Sequence, residues 1–117
     1  MLQLDHKKMK AWQKGIELNI AIFLLCKKLP ETEKFNLSSQ MRRATLSVTN
    51  NIAEGAARKS SLERKRFYEI SRSSIVEVDS CLEVALALKY LLKEEIILIE
   101  NLIEEIFKLL STMIKNT

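Results

Sequence analysis

The sequence has few of the residues that interrupt helices or form reactive sites, with two glycines, one proline and a single histidine in 117 residues. With so few glycines it has no glycine-rich loop that could cradle a phosphate. The only histidine, His6, lies near the N-terminus, which argues against a Ser/His/Asp or Cys/His site. No Glu-x-x-His pair is present for a metal site within a helical bundle. We therefore expect no enzyme activity, no cofactor and no metal.

Long apolar runs and closely spaced cysteines are also missing. The densest apolar run, IELNIAIFLLC, is too short and too polar to cross a bilayer, and the charged N-terminus lacks the apolar core of a signal peptide. Cys26 and Cys81 have no metal-ligand spacing, so we interpret them as small buried residues in a reducing compartment, with a disulfide or redox pair as the alternative. The sequence predicts a cytoplasmic protein that does not contact membranes.

The sequence does contain apolar residues at helical spacing, whereas no alternating run bounded by turn residues predicts a strand. The spacing predicts one domain, residues 1–117, with helices at about 8–28, 37–58, 61–89 and 94–115. Ser60 and Glu63 have the S-x-x-E spacing of a capping box at the start of the third helix. An unbroken helix over 61–115 would be roughly 80 Å long, so the chain must fold back within 89–95. Short connections favour an all-α, up-down-up-down antiparallel four-helix bundle.

The second and fourth predicted helices carry more apolar surface than one packed face requires. We infer self-association from this pattern, and a thick bundle core is the alternative explanation. On the second helix a polar stripe separates two apolar faces, which predicts a hydrogen-bonded seam inside the bundle or at a subunit interface. Glu54 and Glu77 could also form an acid pair, but we interpret both as members of this seam. The predicted seam consists of Gln40, Arg43, Ser47, Asn51, Glu54 and Glu77.

Positive charge is concentrated in the first two thirds of the chain. Residues 1–75 contain 15 Lys and Arg against 7 Asp and Glu, whereas residues 76–117 contain 4 against 8. Such separation indicates a region that faces a polyanion, and a solvated basic loop is the alternative. Tyr68 lies close enough in sequence to the basic turn between the second and third helices to stack on a base. The candidate nucleic-acid-binding residues are Arg42, Arg43, Arg58, Lys59, Arg64, Lys65, Arg66 and Arg72.

The segment LSSQMRRATLSVTNNIAEGAARKS, residues 37–60, resembles the four-helix-bundle family of 23S rRNA intervening-sequence proteins. The family pattern is a Gln, an Arg pair and Ala, then Ser, then Asn-Ile-Ala-Glu-Gly. Thr49-Asn50 and Ala56-Ala57 depart from it, since the family often has Pro-Ser and an aromatic-Gly pair at these places. The pattern is met by Gln40, Arg42, Arg43, Ala44, Ser47, Asn51, Ile52, Ala53, Glu54 and Gly55.

The resemblance implies a bacterial four-helix bundle that forms a homopentamer with a central channel. It implies association with RNA, because some family members are encoded within insertions in large-subunit ribosomal RNA genes. It also points to a distant similarity with the accessory protein of diversity-generating retroelements, a basic pentameric bundle that engages a reverse transcriptase and nucleic acid. Taken together with the basic turn, the resemblance predicts a non-catalytic homo-oligomer that binds RNA or another polyanion. The alternative is a protein-interaction adaptor or assembly scaffold with no nucleic-acid role.

Overall fold

Four α-helices account for most of the chain in the computed structural model, which describes residues 1–117 and contains no strand. The helices are α1, Lys10–Cys26; α2, Leu37–Ala56; α3, Ser61–Ala87; and α4, Ile97–Asn116. Three short 3-10 helices, Asp5–Lys8, Glu31–Glu33 and Lys93–Ile96, precede α1 and lie in the first and last connections. The all-α class and the four-helix bundle expected from the sequence are confirmed.

Each helix packs against two neighbours in the ring order α1–α2–α3–α4, and the ring encloses one cluster of buried apolar side chains. Burying one valine, leucine, isoleucine or methionine side chain of this cluster contributes roughly 1.5–3 kcal/mol to stability relative to leaving it exposed. Because the cluster draws on all four helices, no single helix can leave the bundle without exposing core surface. The members with at most 1% exposure are Leu18, Ile22, Met41, Val48, Ile52, Ile75, Val78, Ala85, Ile96, Ile106 and Leu110.

Small residues bring α2 and α3 close together. The Ser71 hydroxyl donates to the Val48 carbonyl oxygen at 2.8 Å, and Ser71 has no exposed surface. Gly55 faces the aromatic residues at the start of α3: a Cβ at this position would lie 2.8 Å from Cε1 of Tyr68 and 3.0 Å from Cβ of Phe67. Both distances are shorter than ordinary van der Waals contact, so the approach of these two helices requires glycine at position 55.

A polar side chain bridges α1 and α2. The Asn19 amide donates to the Gly15 carbonyl oxygen at 2.8 Å and to the Thr45 carbonyl oxygen at 3.0 Å. Gly15 allows this approach, because a Cβ there would lie 2.6 Å from Cγ2 of Thr49. No buried side-chain nitrogen or oxygen lacks a hydrogen-bond partner, so the polar groups between the helices carry no desolvation penalty from lost hydrogen bonds.

The helices end differently from the sequence-based expectation. The first three end two residues earlier than predicted, and α4 begins three residues later because Lys93–Ile96 is a 3-10 helix. The chain folds back after α3 at Lys89, which has a φ of 63°. The backbone N–H of Lys89 donates to the Leu86 oxygen and that of Tyr90 to the Ala85 oxygen, at 2.9 and 3.0 Å. These bonds form a Schellman motif, in which the left-handed residue is usually glycine.

Hydrogen bonds and an ion pair fasten the connections at the end of the bundle where α1 passes to α2 and α3 to α4. The Tyr90 hydroxyl donates to a Glu33 carboxylate oxygen at 2.9 Å, and Lys28 pairs with Glu95 at 3.1 Å. The Tyr90 hydrogen bond is the main reason that the pKa of Glu33 is lowered. Each of these two contacts joins a residue of the α1–α2 connection to a residue of the α3–α4 connection, so the two connections hold each other in position.

Cys26 and Cys81 are both free thiols and both half-buried, which is less burial than the sequence predicted. Burial is the main reason that the pKa of each thiol is raised. Neither thiol is therefore activated as a nucleophile by its surroundings.

Candidate nucleic-acid interface

The eight predicted nucleic-acid-binding residues do not form one surface. Arg42 and Arg43 lie in the first third of α2, and Arg58 follows the end of that helix, roughly 20 Å further along at 1.5 Å per residue. Arg72 lies on the side of α3 that faces α4, where it donates to the Ser111 hydroxyl at 3.1 Å and packs over the Phe107 ring. The predicted cluster is therefore divided into a pair on α2, a group of five at one end and a single side chain between α3 and α4.

Two of the five residues at the α2–α3 turn hold the turn itself. The Arg64 guanidinium donates to the carbonyl oxygens of Arg58 and Lys59 at 3.1 and 2.7 Å, so it satisfies two backbone acceptors of the turn itself. Arg58 pairs with Glu54 at 3.5 Å, and its guanidinium carbon lies 4.8 Å from the centre of the Phe67 ring. Ser60 begins α3 by accepting a hydrogen bond from the Glu63 backbone N–H at 3.3 Å.

The other three basic side chains of the turn are free. Lys59, Lys65 and Arg66 are exposed and form no ion pair. Since the turn between them is fixed by Arg64 and Ser60, their backbone positions are set before any ligand arrives. Ammonium and guanidinium groups of this kind can contact the phosphates of a nucleic-acid backbone.

The antiparallel topology adds basic residues from the termini to the same end. Lys7 and Lys8 belong to the 3-10 helix that precedes α1, and Lys115 lies in the last turn of α4. Sequence reasoning missed these three, although the expected antiparallel order already places the start of α1 and the end of α4 beside the α2–α3 turn. We call this end the basic pole: Lys7, Lys8, Arg58, Lys59, Arg64, Lys65, Arg66 and Lys115.

Comparison with known proteins agrees with this architecture. The sequence profile of the 23S rRNA-intervening sequence protein family matches residues 7–112. The chain belongs to this family. No curated protein matches the chain.

Another protein, whose crystal structure is known, also has this fold. The chain is 29% identical to a protein of unknown function from the S23 ribosomal protein family of Bacteroides thetaiotaomicron, with a TM-score of 0.82. The similarity covers 90% of this chain and 98% of that one. The four-helix arrangement therefore extends over nearly the whole length of both proteins.

In this 23S rRNA-intervening sequence protein, Tyr68 is not exposed at the basic turn, as the predicted base stacking would require. It is buried against Gly55, with 5% of its surface exposed, so the ring cannot stack on a base. Burial is also the main reason that the pKa of its hydroxyl is raised. Its spacing from the basic turn suggested stacking, but the same position lies on the face of α3 that packs on α2.

The predicted polar seam is only partly formed within one chain. Ser74 on α3 donates to the Ser47 hydroxyl at 2.9 Å, and the Asn51 amide donates to the hydroxyl and backbone oxygens of Ser47 at 2.9 and 2.8 Å. Glu54 and Glu77 are exposed rather than paired with each other, and Gln40 and Arg43 are exposed as well. Of the predicted seam, only Ser47 and Asn51 form such hydrogen bonds within one chain, and Ser74 is a partner that the prediction did not include.

Two general features of the molecule bear on what it can bind. No three His, Cys, Asp or Glu side chains come together in an arrangement that could hold a metal ion. Among the helices, none combines the length and the apolar character needed to span a bilayer.

Proposed function

We propose that this 23S rRNA-intervening sequence protein is a non-catalytic, homo-oligomeric bundle that binds RNA through the basic pole. The observation that carries the proposal is the group of three exposed, unpaired cations, Lys59, Lys65 and Arg66, around a turn fixed by Arg64. Because the backbone at these residues is already fixed, only their side chains are ordered when phosphates bind, and this lowers the entropic cost of binding.

The expected contacts are to the sugar-phosphate backbone. The pole contains Lys and Arg side chains but no exposed aromatic ring for a base, since Tyr68 is buried and Arg58 covers Phe67. Binding of this kind is salt-dependent and does not read base sequence.

Oligomerisation makes a weak contact of this kind effective. A few phosphate contacts per chain give low affinity, but an assembly presents one basic pole per subunit to the same RNA. The second and later contacts are then intramolecular and raise the overall affinity. The apolar outer face of α1, which includes Ile20 at 58% exposure, supports self-association because monomers rarely expose large contiguous apolar patches.

The proposal is tested with the triple variant Lys59→Gln, Lys65→Gln, Arg66→Gln. We expect its affinity for a single-stranded RNA to fall at least about tenfold, and the slope of log affinity against log salt to decrease in magnitude by about 2, because three phosphate contacts are lost. All three side chains are exposed and unpaired, so the fold is expected to be unaffected. Fluorescence anisotropy with labelled RNA measures both quantities.

The matched control removes three charges from the opposite end of the bundle, with Lys28→Gln, Lys34→Gln and Lys89→Gln. The ion pairs lost at Lys28 and Lys34 lie at the surface and are worth at most about 1 kcal/mol each, and circular dichroism verifies that the control is folded. We expect this control to keep most of the RNA affinity, although its net charge equals that of the triple variant. Equal losses in both variants would mean that only total charge matters and would contradict the basic pole. If the wild-type protein bound no RNA at low salt, the protein-adaptor function would be favoured instead.

A further inference from the structure

The outer face of α1 is apolar although no other helix of the chain covers it. Leu18, Ile22 and Leu25 point into the core, whereas Ile16, Ile20, Phe23 and Leu24 lie on the remaining surface of the helix and are exposed. A helix with apolar side chains on more than one face is normally covered on more than one side. A further protein surface is therefore needed to cover α1.

Beside this face a basic groove runs between α1 and α2. It has a volume of about 660 Å³ and is open to solvent. Exposed apolar side chains line it, together with three cations that form no ion pair and with the ion pair of Lys34 and Glu31. Two of these cations are held over one ring, with Lys27 Nζ 4.8 Å and the Arg42 guanidinium carbon 5.1 Å from the centre of Phe23. We define the basic groove by Phe23, Leu46, Lys27, Arg42 and Arg43.

An acidic groove of about 370 Å³ runs between α3 and α4. It also combines exposed apolar side chains, Val76 and Phe107, with charged ones, but here the lining charges are mainly carboxylates. Lys93 and Lys108 pair with Glu100 and Glu104 at 2.9 and 3.3 Å, whereas Asp79 forms no ion pair. We define the acidic groove by Val76, Phe107, Asp79, Glu100 and Glu104.

The two grooves are complementary and lie on opposite sides of the bundle. The ring order places the α1–α2 boundary across from the α3–α4 boundary, so one chain can use both grooves at once. Each presents an aromatic ring and an aliphatic side chain. The charged residues that line the first groove are mainly cations, whereas those that line the second are three carboxylates and one lysine, with Arg72 packed over Phe107. Two basic grooves placed face to face would instead bring Lys27, Arg42 and Arg43 against their own copies. Charge complementarity therefore favours a head-to-tail contact over a twofold one.

We propose that the basic groove of one chain docks on the acidic groove of a second copy. The proposal rests on the homo-oligomer of the proposed function and assigns the two surfaces that form it. In such a heterologous contact each subunit uses one groove for each neighbour, which generates a closed ring or an open chain according to the rotation between subunits. The docked copy also covers the apolar side chains next to the basic groove.

RNA is a poorer fit to the basic groove than a second copy of the chain. Phosphates cannot cover the apolar side chains of Ile16, Ile20 and Leu24. A base stacking on Phe23 would have to displace a cation already held over the ring. The acidic groove of a second copy can do both: its carboxylates pair with the cations of the basic groove, and its Phe and Val residues cover the apolar side chains.

The test uses two charge-reversal variants at exposed positions. The first, Arg42→Glu with Arg43→Glu, reverses the basic groove, and the second, Asp79→Lys with Glu104→Lys, reverses the acidic groove. We expect each variant alone to be monomeric, with a mass near 13.5 kDa by light scattering, at a concentration where the wild type assembles. An equimolar mixture is expected to regain the wild-type mass, because each reversed groove then meets a groove of opposite charge. Helical content by circular dichroism verifies that both variants are folded.

A control reverses two charges at the basic pole, with Lys59→Glu and Lys65→Glu. We expect it to keep the wild-type mass and to lose RNA binding. Variants of both grooves that kept the wild-type mass would overturn the proposal, as would folded monomers that failed to assemble when mixed. Loss of RNA binding with unchanged mass in the Arg42, Arg43 variant would instead assign the basic groove to RNA. A monomeric wild type would contradict the homo-oligomer of the proposed function itself.

Discussion

Replacing Ile106 by alanine is expected to lower the free energy of unfolding by about 2–5 kcal/mol, the range for truncating a fully buried aliphatic side chain. Ile106 lies in the middle of α4 and has no exposed surface. Its removal deletes apolar contacts with the core and leaves a cavity that rigid helices on either side cannot fill. Urea unfolding at one fixed protein concentration measures the loss, because assembly would otherwise change the apparent stability.

Ile97→Ala is the matched control on the same helix. Ile97 is 55% exposed, so we expect a change within about 0.5 kcal/mol. Similar losses for the two variants would mean that α4 does not direct the Ile106 face into the core, and the helix assignment would be wrong.

Replacing Gly55 by valine is expected to destabilise the protein by about 2–3 kcal/mol through overpacking. The Cβ alone would lie 2.8 Å from the Tyr68 ring and 3.0 Å from the Phe67 Cβ, and the second of these atoms is attached directly to the α3 backbone. Neither neighbour can move away without shifting α3 from α2. Thermal or urea unfolding measures the effect.

Asn50→Val controls for placing valine in α2. Asn50 is exposed on the same helix, and asparagine and valine have similar helix propensities, so we expect little change. If Gly55→Val were as stable as wild type, the close approach of α2 and α3 would be incorrect. That result would also remove the physical reason for glycine within the Asn-Ile-Ala-Glu-Gly segment.

Much of the fold could be predicted from the sequence because helical periodicity records which face of a helix is buried. Pro30 and the Ser60 cap also mark helix ends by local chemistry. The boundary between α3 and α4 could not be located in this way, since the chain reverses at Lys89 with a positive φ. A lysine in the left-handed conformation costs about 1–2 kcal/mol. Since lysine takes the place of the usual glycine, the sequence contains no residue that marks the end of α3. The local Schellman hydrogen bonds and tertiary contacts, such as the Tyr90–Glu33 hydrogen bond, stabilise that conformation.

The candidate interface was less predictable because sequence distance does not show which charges are free. Arg64 and Lys65 are adjacent in sequence, yet Arg64 bonds to backbone oxygens and Lys65 is free. The division of the basic residues between the basic pole and the basic groove follows from the length of α2. Lys27 joins the basic groove from α1, a contribution that charge counting along the chain could not reveal.

The most direct test of the basic pole is the affinity of the wild-type protein for single-stranded RNA as salt is raised from about 50 to 200 mM. We predict binding at the lower salt and a slope of log affinity against log salt of about −2 or steeper, since the α2–α3 turn of each pole provides three free cations and single-stranded contacts contribute about −0.7 each. No binding at low salt, or binding with a slope near zero, would contradict the account.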